Sequence, residues 1–592
     1  ITQDLDMLTK GLKLTAMYAF DVYNEIHVHQ DRAESTYNFL DTSVPYDMDG
    51  QPILQRIYEG SNVLSYKQET SGNKKTYLEA SLNYDRTFND DHRVSALFLF
   101  NQQSKLLYPK GTLEDAIPYR MMGIAGRATY SWKDRYFAEF NIGYNGAENF
   151  SPKHRFGTFP AFGVGWVISN EKFWQPLSKA VSFLKIRYTD GKVGNSEVSD
   201  RRFMYLDQMK ENGDYGYKFG PNGTKWSGYE TVNMAVDLIW EESRKQDLGI
   251  DIKLFNDDLS IVFDLFKERR ENILLKREHS IPSFLGYNTS APYGNIGIIE
   301  NKGFDGTIEY NKRINKDWVL ALRGNITFNK DKWIQGELPE QKYEWMNQYG
   351  RNINGVKGYV AEGLFTQAEI DDMARWESLS DANKAITPKP FASQFGTVKA
   401  GDIKYKDLNN DGQIDAYDQT YISRGDVPTT VYGFGFTVGW KDLSVGMMFQ
   451  GVAGAERVLN GSSINPFNGG GGSGNLYSNI GDRWTEENPD QNAFYPRLSY
   501  GSETTSSINN FQKSTWWVRN MNFLRLKTLQ VSYNLPKPWV NKVHLKNAAV
   551  YVMGTNLFTL SRFKLWDPEL NTDNGASYPN TTSYSVGINF TF

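Results

Sequence analysis

The 592-residue chain carries 65 Lys and Arg against 69 Asp and Glu, and a formal net charge of −4 gives no support to a nucleic-acid partner. Aromatic residues make up 14% of it (35 Tyr, 35 Phe and 15 Trp), yet mean hydropathy is −0.56, a combination that suits strands apolar on one side only. No run approaches the roughly 20 apolar residues of a membrane helix, and the absence of Cys excludes disulfide staples and Cys-ligated zinc.

Ile1 to Leu8 reads as part of a strand rather than as a signal peptide, so the chain reads as a piece whose beginning lies elsewhere. After a turn at Thr9-Lys10-Gly11, Leu12 to His29 reads as a long strand. Leu78, Ala80, Leu82 and Tyr84 alternate with polar residues, and a turn at Asn89-Asp90-Asp91 leads to Val94, Ala96, Phe98 and Phe100. Tyr136 to Tyr144 and Leu184 to Tyr188 continue the alternation. Leu248, Ile250, Ile252 and Leu254 turn at Asn256-Asp257-Asp258 into Leu259, Ile261, Phe263 and Leu265. Phe304, Ile308 and Tyr310 turn at Asn315-Lys316-Asp317 into Trp318, Leu320, Leu322, Ile326 and Phe328. Tyr432, Phe434, Phe436 and Val438 oppose Gly433, Gly435, Thr437 and Gly439, then turn at Lys441-Asp442 into Leu443, Val445, Met447 and Phe449. The last segment, Thr581 to Phe592, puts Tyr584, Val586, Ile588, Phe590 and Phe592 on one face and small polar residues on the other.

About sixteen to eighteen such segments can be counted. Alternate connections are short, while those at about 190–245, 331–427 and 452–516 are long. Short turns at one end and long loops at the other are the layout of an outer-membrane barrel. The expected fold is therefore all-β, a transmembrane antiparallel β-barrel spanning 1–592 with large outer insertions. A chain ending on an aromatic residue inside a strand fits this, because strand edges in hydrocarbon must be paired. Within the insertions, the capping box Thr366-Gln-Ala-Glu369 predicts a short helix over 366–376. Asn468 to Asn475 (NGGGGSGN) lacks the Lys and Ser/Thr of a phosphate loop and reads as flexible.

Several longer motifs come in a characteristic order: FPAFGVGWVISNEKFW (159–174), FLKIRYTDGKVGNS (183–196), WEESRKQDLGIDIKLF (240–255) and NIGIIENKGFDGTIEY (295–310). They continue with GYVAEGLFTQAEI (358–370), GDIKYKDLNNDGQIDAYDQTYI (401–422), FLRLKTLQVSYNLP (523–536), YVMGTNLFTL (551–560) and DPE (567–569). Together these resemble the SusC/RagA group of TonB-dependent outer-membrane transporters of Bacteroidota. The resemblance implies a barrel of roughly twenty-two strands around an N-terminal plug, capped by a SusD-like surface lipoprotein and energised by TonB–ExbB–ExbD through a TonB box. Plug, TonB box and first strands are absent here, so the chain is expected to be the C-terminal part of such a barrel. The function implied is import of oligosaccharides or oligopeptides. A metal-chelate or cofactor importer, or a soluble secreted β-rich binding or adhesion protein, are the alternatives.

One stretch carries metal-ligand spacing. Asp407, Asn409, Asp411, Asp415 and Asp418 fall at positions 1, 3, 5, 9 and 12 of a loop with Gly412 at 6, and Gln413 at 7 offers a backbone carbonyl. A structural calcium ion is expected there; an Asp-Gly turn held by side-chain-to-backbone bonds is the alternative. Glu241 and Glu242 are adjacent on a strand and point oppositely, so they do not form a glycosidase pair, and a solvated strand end is expected. Of six His, only His27 and His29 form a close pair; their i, i+2 spacing shares a face that could hold a metal, and they are read as surface polar residues instead. No G-x-S-x-G frames a Ser, and no catalytic site is expected. Trp226, Trp333, Trp345, Trp376 and Trp484 lie in outer or lumenal segments, where aromatic faces stack on sugars or pack loops together.

Overall fold

The computed structural model describes residues 1–40, 43–108, 116–197, 202–218, 220–233, 235–282, 284, 291–461, 464–466, 478–498 and 505–592. The Gly-rich stretch 468–475 lies outside them. Among the described residues, seventeen strands share one sheet: β1 (Thr2–Asp4), β2 (Leu12–His29), β3 (Lys67–Phe88), β4 (His92–Tyr108), β5 (Tyr119–Trp132), β6 (Tyr136–Ala147), β7 (Phe156–Val167), β8 (Val181–Asn195), β9 (Glu241–Leu254), β10 (Leu259–Lys276), β11 (Tyr293–Arg313), β12 (Trp318–Gln335), β13 (Thr430–Trp440), β14 (Leu443–Ala453), β15 (Phe523–Asn534), β16 (Asn547–Ser561) and β17 (Ser583–Thr591). This matches the expected number of strands. The opening segment differs, being strand only at Thr2–Asp4, because Leu5 N–H already turns back to the Leu12 carbonyl.

The short turns use residues that tolerate left-handed backbone. Asn89 and Asp90 have φ of 50° and 60°, and Asn256 and Asp257 have 57° and 70°. Gly11 takes φ +86°, and a Cβ there would stand 2.0 Å from the Asp85 carbonyl oxygen, so only glycine closes that turn.

The chain divides into two compact units. In the first (Ile1–Tyr130, Phe140–Pro160 and Asn195–Trp240), Leu14, Leu82 and Phe98 lie side by side across β2, β3 and β4, all exposed. The opposite face carries Met17, Glu79 and Asn101 in register. In the second unit (Ser131–Glu139, Ala161–Gly194 and Glu241–Phe592), one row runs Leu320, Val438, Val445, Val531, Val552 and Val586 from β12 to β17. The neighbouring row on that face is Leu322, Phe436, Met447 and Leu529. Between them, on the other face, stand Ala321, Thr437, Gly446 and Gln530. Phe434 and Val552 are 43% and 51% exposed with no protein to cover them. A sheet with one continuous bare apolar face and one polar face is the wall of a transmembrane barrel, apolar side to lipid.

The buried apolar side chains gather elsewhere. Tyr359, Leu364, Ile403, Tyr405, Leu459, Trp484, Tyr495, Trp517 and Phe563 form one core, drawn from the connections β12–β13, β14–β15 and β16–β17. The helix expected over 366–376 is present as α1 (Gln367–Glu377), with both bonds of its capping box made at Thr366 and Glu369. The long outer connections are thus a folded body with its own interior.

Candidate functional site

Two of the ordered motifs meet on the polar face of the second unit. Arg187 on β8 lies 3.3 Å from Asp247 and 3.4 Å from Asp251 on β9, and 2.6 Å from Asp264 on β10. A Cβ on Gly249 would stand 2.4 Å from the Arg187 guanidinium carbon, so glycine makes room for this cluster. On the opposite face of the same strands Asp190 accepts hydrogen bonds from Arg244 at 2.6 and 3.0 Å and from Gln246 at 2.9 Å. FLRL and DPE also meet: Arg525, 1% exposed, pairs with Asp567 and, at 2.9 Å, with Glu569.

The outer body is organised around a buried carboxylate. Asp402 accepts from Lys399 N–H at 2.8 Å, from Arg497 at 3.1 and 3.3 Å and from the Asn510 amide at 3.0 Å. Burial pushes its carboxyl above the usual range, against the pull of the Arg497 guanidinium. Beside it, Gly401 takes φ +83°, and its missing Cβ is replaced by the Trp484 ring. Burial alone would raise Glu369, but the Thr366 N–H and the Lys404 ammonium hold it below its usual value.

In the 407–418 loop the side chains of the expected ligands are engaged mainly by backbone N–H groups. Asp407 accepts the Gly412 N–H at 2.8 Å, Asn409 that of Asp411 at 3.0 Å, and Asp411 that of Gln413 at 3.0 Å. Asp415 caps the short turn Ala416–Asp418 through the Tyr417 N–H at 2.7 Å. Asp418 is fully buried and uses one oxygen on Leu408 N–H and the other on Asp415 N–H. The second oxygen of Asp407 is buried and has no hydrogen-bond partner. That one oxygen of Asp407 is what the loop leaves for a cation, while Asp418 shapes the loop. Among the described residues, no three His, Cys, Asp or Glu side chains stand grouped as a metal site.

The remaining candidates separate. Glu242 pairs with Lys192 at 2.9 Å, whereas Glu241 is buried and lies 3.4 Å from Arg270, so that end of β9 is tied down rather than solvated. His27 lies 2.9 Å from Glu25, and His29 4.0 Å from Glu69, both exposed. Most of the five Trp pack loops. Trp484 is core, Trp345 donates to the Tyr417 carbonyl and Trp376 to that of Thr387. Trp226 alone among them is two-thirds exposed.

Sequence reasoning missed two recesses. One, of about 660 Å³, lies in the outer body and is lined by Trp516, Phe494, Arg519, Glu362, Asp482 and Asn492. The other, of about 690 Å³, lies in the first unit among Gln103, Lys105, Arg120, Glu148, Glu197 and Arg202. Both mix aromatic or stem surface with hydrogen-bonding groups, as binding clefts do. Their members are far apart in the chain, and no local spacing announces them.

No family model matches the chain. It is 26% identical over 501 residues to the TonB-dependent receptor P3 of Formosa agariphila, covering 80% of this chain and 45% of that protein. It is 24% identical over 485 residues to the TonB-dependent receptor SusC of Bacteroides thetaiotaomicron, covering 79% and 43%. The chain thus spans about half the length of the curated relatives it matches. Among solved structures, the RagAB peptide transporter superposes over 99% of this chain and 60% of that one, with a TM-score of 0.72 at 19% identity. That likeness establishes the fold.

Proposed function

We propose, from the premise that this chain is a relative of the SusC/RagA group of TonB-dependent outer-membrane transporters, that it is barrel wall and outer mouth of an importer for oligosaccharides or oligopeptides. The observation that carries this is the sheet itself, bare and apolar on one face and polar on the other, with a folded body built on its long connections. In this reading the apolar rows exclude lipid, and the polar face, with Arg187 and its carboxylates, lines the path. The outer body holds substrate and a SusD-like lipoprotein lid. A plug and further strands complete the barrel, and a pull through TonB–ExbB–ExbD opens it.

The same reading gives the 407–418 loop a structural calcium ion held by Asp407, Asn409, Asp411 and the Gln413 carbonyl. Oxygen donors and a glycine turn favour calcium over zinc. Support comes from the unpartnered buried oxygen of Asp407. Such an ion would offset repulsion among the loop carboxylates.

The test is growth of a deletion strain on a panel of polysaccharides and peptides, with the full-length gene restored in trans. Loss of growth on one polymer class, regained on complementation and lost again without TonB, is the expected result. Unchanged growth and uptake across a panel that includes chelated metals would overturn the importer reading.

A further inference from the structure

Two rows of basic side chains cross the outward face of β9 to β12, next to its apolar band. On that face Leu248, Leu265, Phe304 and Phe328 stand side by side. The next row toward the long connections is Gln246, Lys267, Lys302 and Lys330. The row beyond is Arg244, Arg269, Glu300 and Lys332. Residues two apart on a strand share a face, so both rows point where Leu265 and Phe304 point. From Leu254, at the short turn, to Gln246 is nine residues of strand, and about 9–11 tilted residues cross the hydrocarbon. The apolar band of an outer-membrane barrel is about 25 Å tall. Strand length alone therefore puts the Lys267 row at the outer rim of the hydrocarbon.

Part of this charge is compensated. Glu300 lies 3.4 Å from Lys267 and 3.3 Å from Lys332, Glu271 lies 2.6 Å from Arg269, and Asp190 lies 2.6 Å from Arg244. Lys302 and Lys330 are exposed and make no ion pair among the described residues. Neighbouring lysines in such a row have Cβ atoms only about 5 Å apart, and like charges that close repel unless an anion spans them. The surplus is positive here although the chain as a whole carries −4. The patch faces sideways from the wall, so what reaches it lies in the plane of the membrane.

We propose that this patch binds the phosphates of the phosphorylated glycolipid, lipid A, that forms the outer leaflet. Acyl chains lie along the Leu248–Phe328 row. The phosphates sit across Lys267, Lys302 and Lys330, and Arg244 and Arg269 are above them within reach of the sugars. The inference rests on the membrane-barrel fold and is independent of what the protein imports.

The experiment uses the purified full-length protein in detergent, with lipid retention read by native mass spectrometry and folding by heat-modifiable gel mobility. Bisphosphorylated lipid A, dephosphorylated lipid A and phosphatidylglycerol are offered in turn. The wild type should retain bisphosphorylated lipid A in clear preference to the other two. Lys302→Gln with Lys330→Gln should lower that retention by roughly tenfold or more, while Lys441→Gln, at the short-turn end, leaves it unchanged. Undiminished retention by the double variant, equal binding of dephosphorylated lipid A, or an equal loss in Lys441→Gln would each overturn the proposal. Phosphatidylglycerol held as tightly as lipid A would overturn the glycolipid assignment. A wild type without heat-modifiable mobility would overturn the barrel fold itself, and the gel reports that separately from lipid binding.

Discussion

Phe434→Arg tests the membrane face most directly. Phe434 sits near the middle of β13, its register partner is Phe449, and the two rings stack at 4.9 Å and 16°. About 9–11 tilted residues cross the hydrocarbon, so the eleven-residue β13 puts this side chain close to the midplane. An outward Arg at that depth costs about 2–4 kcal/mol, and the lost ring pair adds about 0.5–1.5 kcal/mol. The charge term alone lowers the folded-to-unfolded ratio roughly 30- to 700-fold at about 1.4 kcal/mol per decade. The inward comparator is Thr437→Arg. Gly435 does not serve, because a Cβ there would stand 2.5 Å from the Met447 carbonyl oxygen. Urea titration of the full-length protein in lipid vesicles, followed by heat-modifiable mobility, measures both variants, and Phe434→Ala isolates the ring term. Equal loss of stability in Phe434→Arg and Thr437→Arg would refute the assignment of faces.

Arg525→Met should cost about 3–5 kcal/mol, because Asp567 and Glu569 are left facing each other without their cation; limited proteolysis should then cut within 562–582, and a pattern like the wild type would count against the pair. The folded pKa of Glu369 is depressed, so its contribution to the outer body is present above its unfolded value near 4.5 and lost as pH falls through the folded one. Glu369→Gln should therefore flatten the acid limb of loop stability measured by hydrogen exchange at α1, and an unchanged limb refutes the linkage. Thr366→Ala should loosen the same helix by about 1 kcal/mol through loss of its cap. Chelation of calcium should raise protease sensitivity around 407–418, and Asp407→Ala with Asp411→Ala should reproduce this without impairing barrel assembly; identical cleavage with and without chelator would sink the calcium assignment.

Strand faces and turns were legible because their signal is local: a period of two, broken by Asn, Asp and Gly where the backbone turns left-handed. The capping box at Thr366 was legible for the same reason. The core of the outer body was not, since Tyr359, Trp484, Trp517 and Phe563 come from distant connections and share no periodicity. An aromatic face suits a sugar as well as a loop core, and Trp484 fills the space left by Gly401. Glu241 read as solvated, yet Arg270, nearly thirty positions away in sequence, covers it. The Arg525 pair had one trace in sequence, a charged residue between Leu524 and Leu526, but nothing local names Asp567 as its partner.

That shared interior bears on how the outer body can change over generations. Tyr359 and Leu364 belong to one connection, Tyr495 and Trp517 to a second and Phe563 to a third. A recombination event that replaces 336–429 alone strips Trp517 and Tyr495 of Tyr359, Ile403 and Tyr405, which share their core. Inheritance of a new loop therefore has to proceed as a block of all three, or be confined to rim positions such as Glu362, Asp482 and Asn492, whose side chains line a recess rather than the interior.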